Sequence, residues 1–73
     1  MAKLLDERLF YGNALMKRRE LAGLTKADLA RAVGIDISNI GKYERGERVP
    51  SISTAIKIYN YLEVELDKKL NGR

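Results

Sequence analysis

The sequence predicts an all-α fold, a compact bundle of short helices in a single domain, on three observations. Glycines and helix-capping side chains alternate through the middle of the chain: Gly23 then Thr25, Gly34 then Asp36, Gly46 then Pro50-Ser51. Each such pair closes one helix and opens the next. Ile52, Ala55, Ile56, Tyr59 and Leu62 recur at i, i+3, i+4, i+7 and i+10, the period of an amphipathic helix. One proline, and no repeat, low-complexity tract or linker in 73 residues, fits one domain spanning 1–73. A chain this short buries only roughly 60% of its unfolded surface, so the core is thin and no large substrate cavity is expected.

The first helix is expected from Asp6, a good N-cap, to about Ala22, with Leu5 and Phe10 placed as a hydrophobic staple. Its inward positions are Tyr11, Leu15, Arg19 and Ala22. Gly23 ends it, and Thr25 caps a second helix, Lys26 to Val33, in which Leu29, Ala30 and Val33 share a face. Asp36 caps a third helix that runs through Arg45. Ser51 caps the fourth, whose inward stripe is Ile52, Ala55, Ile56, Tyr59 and Leu62. Residues 62–66, Leu-Glu-Val-Glu-Leu, alternate with period two, while the following Asp-Lys-Lys-Leu suits another helical turn. The expectation favoured for 63–73 is a short strand or extended tail that pairs with a partner.

Composition excludes much chemistry. The chain has no Cys and no His, which removes disulfides, thiolate nucleophiles, imidazole bases and the common zinc sites, and no metal or other cofactor is expected. Its ten carboxylates are better explained as caps, ion-pair partners and solubilising charges than as acid/base pairs, so the chain is not expected to be an enzyme. The Gly-Ile-Asp-Ile-Ser-Asn-Ile-Gly run at 34–41 lacks phosphate-loop spacing and its Lys-Ser/Thr pair. With only two adjacent leucines before Asp6, Glu7 and Arg8, the first ten residues are not expected to act as a secretory signal, and no apolar run approaches the ~20 residues of a membrane span. A cytoplasmic protein with no membrane or small-molecule partner is expected. Net charge is +4. It concentrates centrally, where Lys17, Arg18, Arg19, Lys26, Arg31, Lys42, Arg45 and Arg48 outnumber Glu20, Asp28, Asp36, Glu44 and Glu47. A basic balance suits a nucleic-acid partner, although charge alone equally describes a solvated surface.

Residues 25–46 sharpen this reading. They spell a short helix, a glycine-bearing turn and a second short helix, the core of a helix-turn-helix. Two helices crossing steeply need a small side chain where they meet and a turn residue that tolerates positive φ, which Ala30 and Gly34 supply. Ile35, Ile40 and Tyr43 then anchor the second helix, leaving Ile37, Ser38, Asn39, Gly41 and Lys42 on its open side.

The segment resembles the Cro/repressor-type helix-turn-helix, the Xre family of small phage and bacterial regulators. The matching positions span residues 11–62: Tyr11-Gly12, Arg19, Gly23-Leu24-Thr25, Asp28-Leu29-Ala30, Val33-Gly34-Ile35, Ile40, Lys42-Tyr43-Glu44-Arg45-Gly46, Pro50-Ser51 and Lys57-Ile58. The resemblance implies a lambda-repressor-like bundle of four to five helices that binds double-stranded DNA as a homodimer on a palindromic operator, with the third helix in the major groove. It implies DNA contacts at Thr25 and Lys26, and at Ile37, Ser38, Asn39, Gly41, Lys42, Arg45 and Arg48. Lys26 stands where the family usually has Gln, so phosphate affinity is expected there at the expense of bidentate base reading. Asp36 stands where Ser or Thr is common and is taken as structural, because a carboxylate repels phosphate. Ile37 replaces a long polar residue and either meets a thymine methyl or folds against the second helix. Gly41 is costly inside a helix and admits either DNA backbone or a packing neighbour. Arg45 and Arg48 are expected at phosphates. Arg19 and Glu44 match a pair that orients the recognition helix. Arg18 replaces an apolar residue and must snorkel.

Ile58, Tyr61, Val64 and Leu66 form the expected dimer interface, setting two recognition helices about 34 Å apart. The function so implied is transcriptional repression by promoter occupancy, at the nucleoid of a bacterial or phage-infected cell. Two alternatives stand beside it. One is the antitoxin of a toxin-antitoxin pair, which would also grip a toxin protein. The other is a protein-interaction module of the same fold, like the multiprotein bridging factors.

Overall fold

Four α-helices follow one another in the computed structural model, which describes residues 13–71: α1 Asn13–Leu21, α2 Lys26–Val33, α3 Ile37–Glu44 and α4 Ile52–Leu70. The expected N-cap Asp6, the Leu5–Phe10 staple and the inward Tyr11 lie outside the described residues. The boundaries follow local chemistry. Thr25 forms a capping box: its hydroxyl accepts the Asp28 N–H at 3.0 Å, and the Asp28 carboxylate accepts the Thr25 N–H at 2.9 Å. Asp36 caps α3 by accepting the Ser38 N–H at 2.8 Å, and Ser51 caps α4 by accepting the Thr54 N–H. Gly34, at φ 71°, closes α2 in the left-handed region, and the Ile35 N–H returns to Ala30 O at 3.0 Å.

The core is small and drawn from all four helices: Leu15 and Ala22, Leu29, Ala30 and Val33, Ile40 and Tyr43, and Ala55, Ile58 and Leu62. Leu24, Ile35, Tyr59, Tyr61 and Leu66 pack around it. α2 lies against α3 and α4, and α1 touches both α3 and α4. Of the inward positions expected, Leu15, Arg19 and Ala22, then Leu29, Ala30 and Val33, and Ile40 and Tyr43 are buried, while Gly41, expected on the open side of α3, is buried as well.

Two expectations for α4 are corrected. Its buried face is Ala55, Ile58 and Leu62, not the stripe that includes Ile52 and Ile56, which are 70% and 42% exposed. Apolar residues surround the first three turns of this helix, so periodicity alone supports two overlapping stripes. Packing against α1 and α2 selects the one containing Ile58. Nor does the tail leave the helix: α4 continues without a break to Leu70, so residues 63–70 form no strand. Leu62 and Leu66 are four apart and both turn inward, whereas Val64 faces solvent. Extending an existing helix adds a hydrogen bond for each residue fixed, without a new nucleus. A Glu65–Lys68 ion pair at 3.2 Å and the Asn71 side-chain amide on Asp67 O at 2.9 Å support the last turns. No helix of the described residues is long and apolar enough to cross a membrane.

Candidate nucleic-acid interface

The solvent-facing side of α3 is built from its anchors outward. Ile40 is fully buried and Tyr43 nearly so, which fixes the rotation of the helix about its axis. That rotation turns Ile37 and Ser38 to solvent and leaves Asn39 and Lys42 half-exposed at the margins. Thr25 and Lys26, at the start of α2, and Arg45 and Arg48, beyond the end of α3, are exposed as well. Ile37 is 48% exposed, so it is not folded fully against α2.

The tilt of α3 is held by an ion pair from α1. Arg19 donates through Nε to Glu44 Oε2 at 2.6 Å and through Nη2 to Glu44 Oε1 at 3.2 Å, a bidentate fork. A third donor, Nη1, reaches Leu24 O at 2.8 Å, in the turn between α1 and α2. The two side chains are only 9% and 4% exposed. One guanidinium therefore ties α1, the turn before α2 and the end of α3 together, and the Glu44 hydrogen bond holds its pKa above the ordinary arginine value.

Gly41 is buried although it lies on the open face. The Arg45 guanidinium lies over it, and a Cβ at position 41 would stand 3.1 Å from Arg45 Nη1. Of the two readings of this glycine, close packing is the one observed, and the backbone at 41 is covered. The guanidinium is held in turn by Glu47, whose carboxylate accepts from Arg45 Nε at 2.7 Å and Nη2 at 3.1 Å. That bond keeps the Glu47 carboxyl below its usual range. Sequence reasoning missed Glu47. The signal available was an acid two residues after an arginine across a glycine turn.

Asp36 does more than cap. Its Oδ1 accepts both the Ser38 backbone N–H and the Ser38 hydroxyl, each at 2.8 Å. These bonds, the backbone one first, hold its carboxyl below the ordinary aspartate value.

Of the four residues assigned to a dimer interface, Ile58 is fully buried in the protomer's own core, which takes it out of reach of a second chain. Tyr61 and Leu66 are half-buried against that core, and Val64 is exposed. Val49, Ile52 and Ile56, where the chain enters α4, are each exposed, although Ile52 and Ile56 belong to the stripe expected to face inward. Arg18 is half-buried and lines an open cleft with Leu21, Leu66 and Leu70, where its stem can cover apolar surface. Among the described residues no group of three or more His, Cys, Asp or Glu side chains is arranged to hold a metal.

The helix-turn-helix family model matches residues 15–69. The chain is 36% identical over 59 residues to the cryptic phage CTXphi transcriptional repressor RstR of Vibrio cholerae, covering 81% of this chain and 52% of that protein. It is 40% identical over 60 residues to a putative HTH-type transcriptional regulatory protein of Methanococcus vannielii, covering 82% of this chain and 18% of that one. It is 32% identical over 62 residues to the uncharacterized HTH-type transcriptional regulator YazB of Bacillus subtilis, covering 85% of this chain and 90% of that one. The chain thus spans about half of the first relative, under a fifth of the second and nearly all of the third. No solved structure matches it.

Proposed function

The chain belongs to the helix-turn-helix family, and from that premise we propose that it is a sequence-specific double-stranded DNA-binding regulator of transcription, a repressor that occupies a palindromic operator as a homodimer. The observation that carries this reading is the outward presentation of Ile37 and Ser38, with Asn39 and Lys42 half-exposed beside them, on a helix whose opposite side, Ile40 and Tyr43, is locked in the core. In the proposal α3 enters the major groove. Ser38, Asn39 and Lys42 meet base edges, Ile37 meets a thymine methyl, and Thr25, Lys26, Arg45 and Arg48 contact the flanking backbone. Such a protein works at the nucleoid. The relative RstR is by its name a repressor, which supports repression over activation.

For the dimer, the surface we propose is the exposed group of Val49, Ile52 and Ile56, which adjoins the loop after α3 and is free of the protomer's own core. Two copies joined there as a symmetric pair would present two α3 helices to successive turns of duplex, about 34 Å apart.

Selection of bound sites from a random duplex pool tests the whole reading. An enriched inverted repeat is expected. Lys26→Ala should weaken all sequences alike and reduce the salt slope by about one, while Ser38→Ala or Lys42→Ala should change which site wins. A folded protein that enriches no site would refute the proposal.

A further inference from the structure

Ser38 is one of the few side chains that stand fully outward on α3, and its hydroxyl is not free. The carboxylate of Asp36 lies 2.8 Å from Ser38 Oγ. An ionised carboxylate only accepts hydrogen bonds, so the hydroxyl proton is directed at Asp36. The same carboxylate oxygen also takes the Ser38 backbone N–H, and both bonds favour its ionised form. What Ser38 presents outward is therefore lone pairs alone.

That changes what it can read. A serine with a free hydroxyl contacts donors and acceptors alike. With its proton committed it contacts only donors, and the donors in the major groove are the exocyclic amino groups, N6 of adenine and N4 of cytosine. Guanine O6 and N7 and thymine O4 would instead face oxygen lone pairs backed by a carboxylate. We propose that Asp36 and Ser38 act as one acceptor-only reader that selects an exocyclic amino group of adenine or cytosine. Asp36 is the positioning residue: it sets the polarity of Ser38 without touching the base. This rests on the reading of α3 as the recognition helix.

The test begins with sites selected by the wild type and by S38A. The base pair whose preference changes between them marks the partner of Ser38. Two analogue duplexes are then made at that pair. In one the amino group is deleted, with purine for adenine or 2-pyrimidinone for cytosine. In the other the purine N7 acceptor is deleted with a 7-deaza base. Amino deletion is expected to lower wild-type affinity about fivefold to tenfold, the loss of one good hydrogen bond, and S38A affinity by less than about twofold. The 7-deaza duplex should bind both proteins as the parent does. D36T retains a capping hydroxyl and frees the Ser38 proton to donate as well as accept, so this variant should discriminate less than the wild type between the amino-bearing base and one presenting an acceptor, thymine O4 or guanine O6, at that pair. Its folded state is checked by circular dichroism. A penalty from the 7-deaza base with none from amino deletion would overturn the inference, as would a D36T profile equal to wild type. If S38A selects the wild-type site unchanged, the inference falls while the recognition-helix reading stands. If no site is enriched at all, both fall.

Discussion

Removing the Glu44 carboxylate isolates the most consequential polar contact in the molecule. Glu44→Ala leaves the Arg19 guanidinium buried, with two of its donors, Nε and Nη2, stripped of their hydrogen-bond acceptors and only the exposed Glu20 carboxylate, 4.0 Å from Nη2, facing its charge. Breaking a buried pair from one side costs about 3–5 kcal/mol. A 73-residue domain at ~0.05–0.15 kcal/mol per residue has roughly 4–11 kcal/mol in total. The substitution thus removes from about a quarter to all of the stability, and at about 4 °C or more per kcal/mol the melting temperature falls by at least about 12 °C. The double variant Arg19→Met/Glu44→Leu removes both charges and fills their space with apolar atoms. The one hydrogen-bond acceptor it strands is Leu24 O, on a half-buried residue where water can replace the lost donor. The double variant should therefore lie within about 1 kcal/mol of wild type. Urea unfolding followed by far-ultraviolet circular dichroism measures both. A loss below about 1 kcal/mol in Glu44→Ala, or a double variant no better than the single, would show that the pair is not the clamp described here.

Asp28 is held below its usual value first by the Thr25 N–H, then by the Thr25 hydroxyl, and Asp36 by the Ser38 N–H and hydroxyl. A carboxyl with a depressed folded-state pKa stabilises the fold fully above its unfolded value, 3.8 here, and loses that contribution as pH falls through the folded one. Urea midpoints should therefore drop as pH is lowered below 3.8, and the drop should shrink in Asp28→Ser/Asp36→Ser; an equal drop in both proteins would exclude the caps as its source. Gly34→Ala meets no atom within 4 Å, so its cost is backbone strain at φ 71° alone, about 1–2 kcal/mol by denaturation; a neutral result would mean that the turn relaxes. Gly41→Ala should gain up to ~1 kcal/mol of stability, because the Arg45 guanidinium is a flexible neighbour that can yield, while weakening DNA binding as that guanidinium is displaced. Stability and affinity moving together would contradict this. Ile52→Glu should leave the melting temperature of dilute protein nearly unchanged and shift the proposed dimer to monomer in sedimentation; an unaltered dimer would place the interface elsewhere.

How much of this was legible in the sequence depended on the range of the interactions involved. Helix ends were readable at Thr25, Gly34, Asp36 and Ser51 because a cap acts within three or four residues of itself. The face of α2 and the anchors Ile40 and Tyr43 of α3 were readable from their apolar spacing, whereas Gly41, which carries no side chain to mark a face, was read as outward and is buried. The face of α4 was not, since Ile52, Ile56 and Ile58 are chemically equivalent and only contact with α1 and α2 distinguishes them. Residues 62–66 failed for a related reason: Leu62 and Leu66 satisfy periods of two and of four at once, leaving Val64 alone to discriminate.

At the interface the same limit takes a chemical form. Residue type located the outward positions, but not what each has left to offer once its neighbours are satisfied. Ser38 has its proton on Asp36, Arg45 has two of its donors on Glu47, and Gly41 is roofed by a guanidinium. Each commitment is made by a residue two to four positions away, and each narrows a side chain that could contact many groups to one that contacts few. Selectivity in a helix of eight residues then does not require long, specialised side chains at every outward position. In the proposed recognition short ones suffice, because adjacent carboxylates decide which of their donors and acceptors remain free, as Asp36, before α3, does for Ser38 and Glu47, after it, does for Arg45.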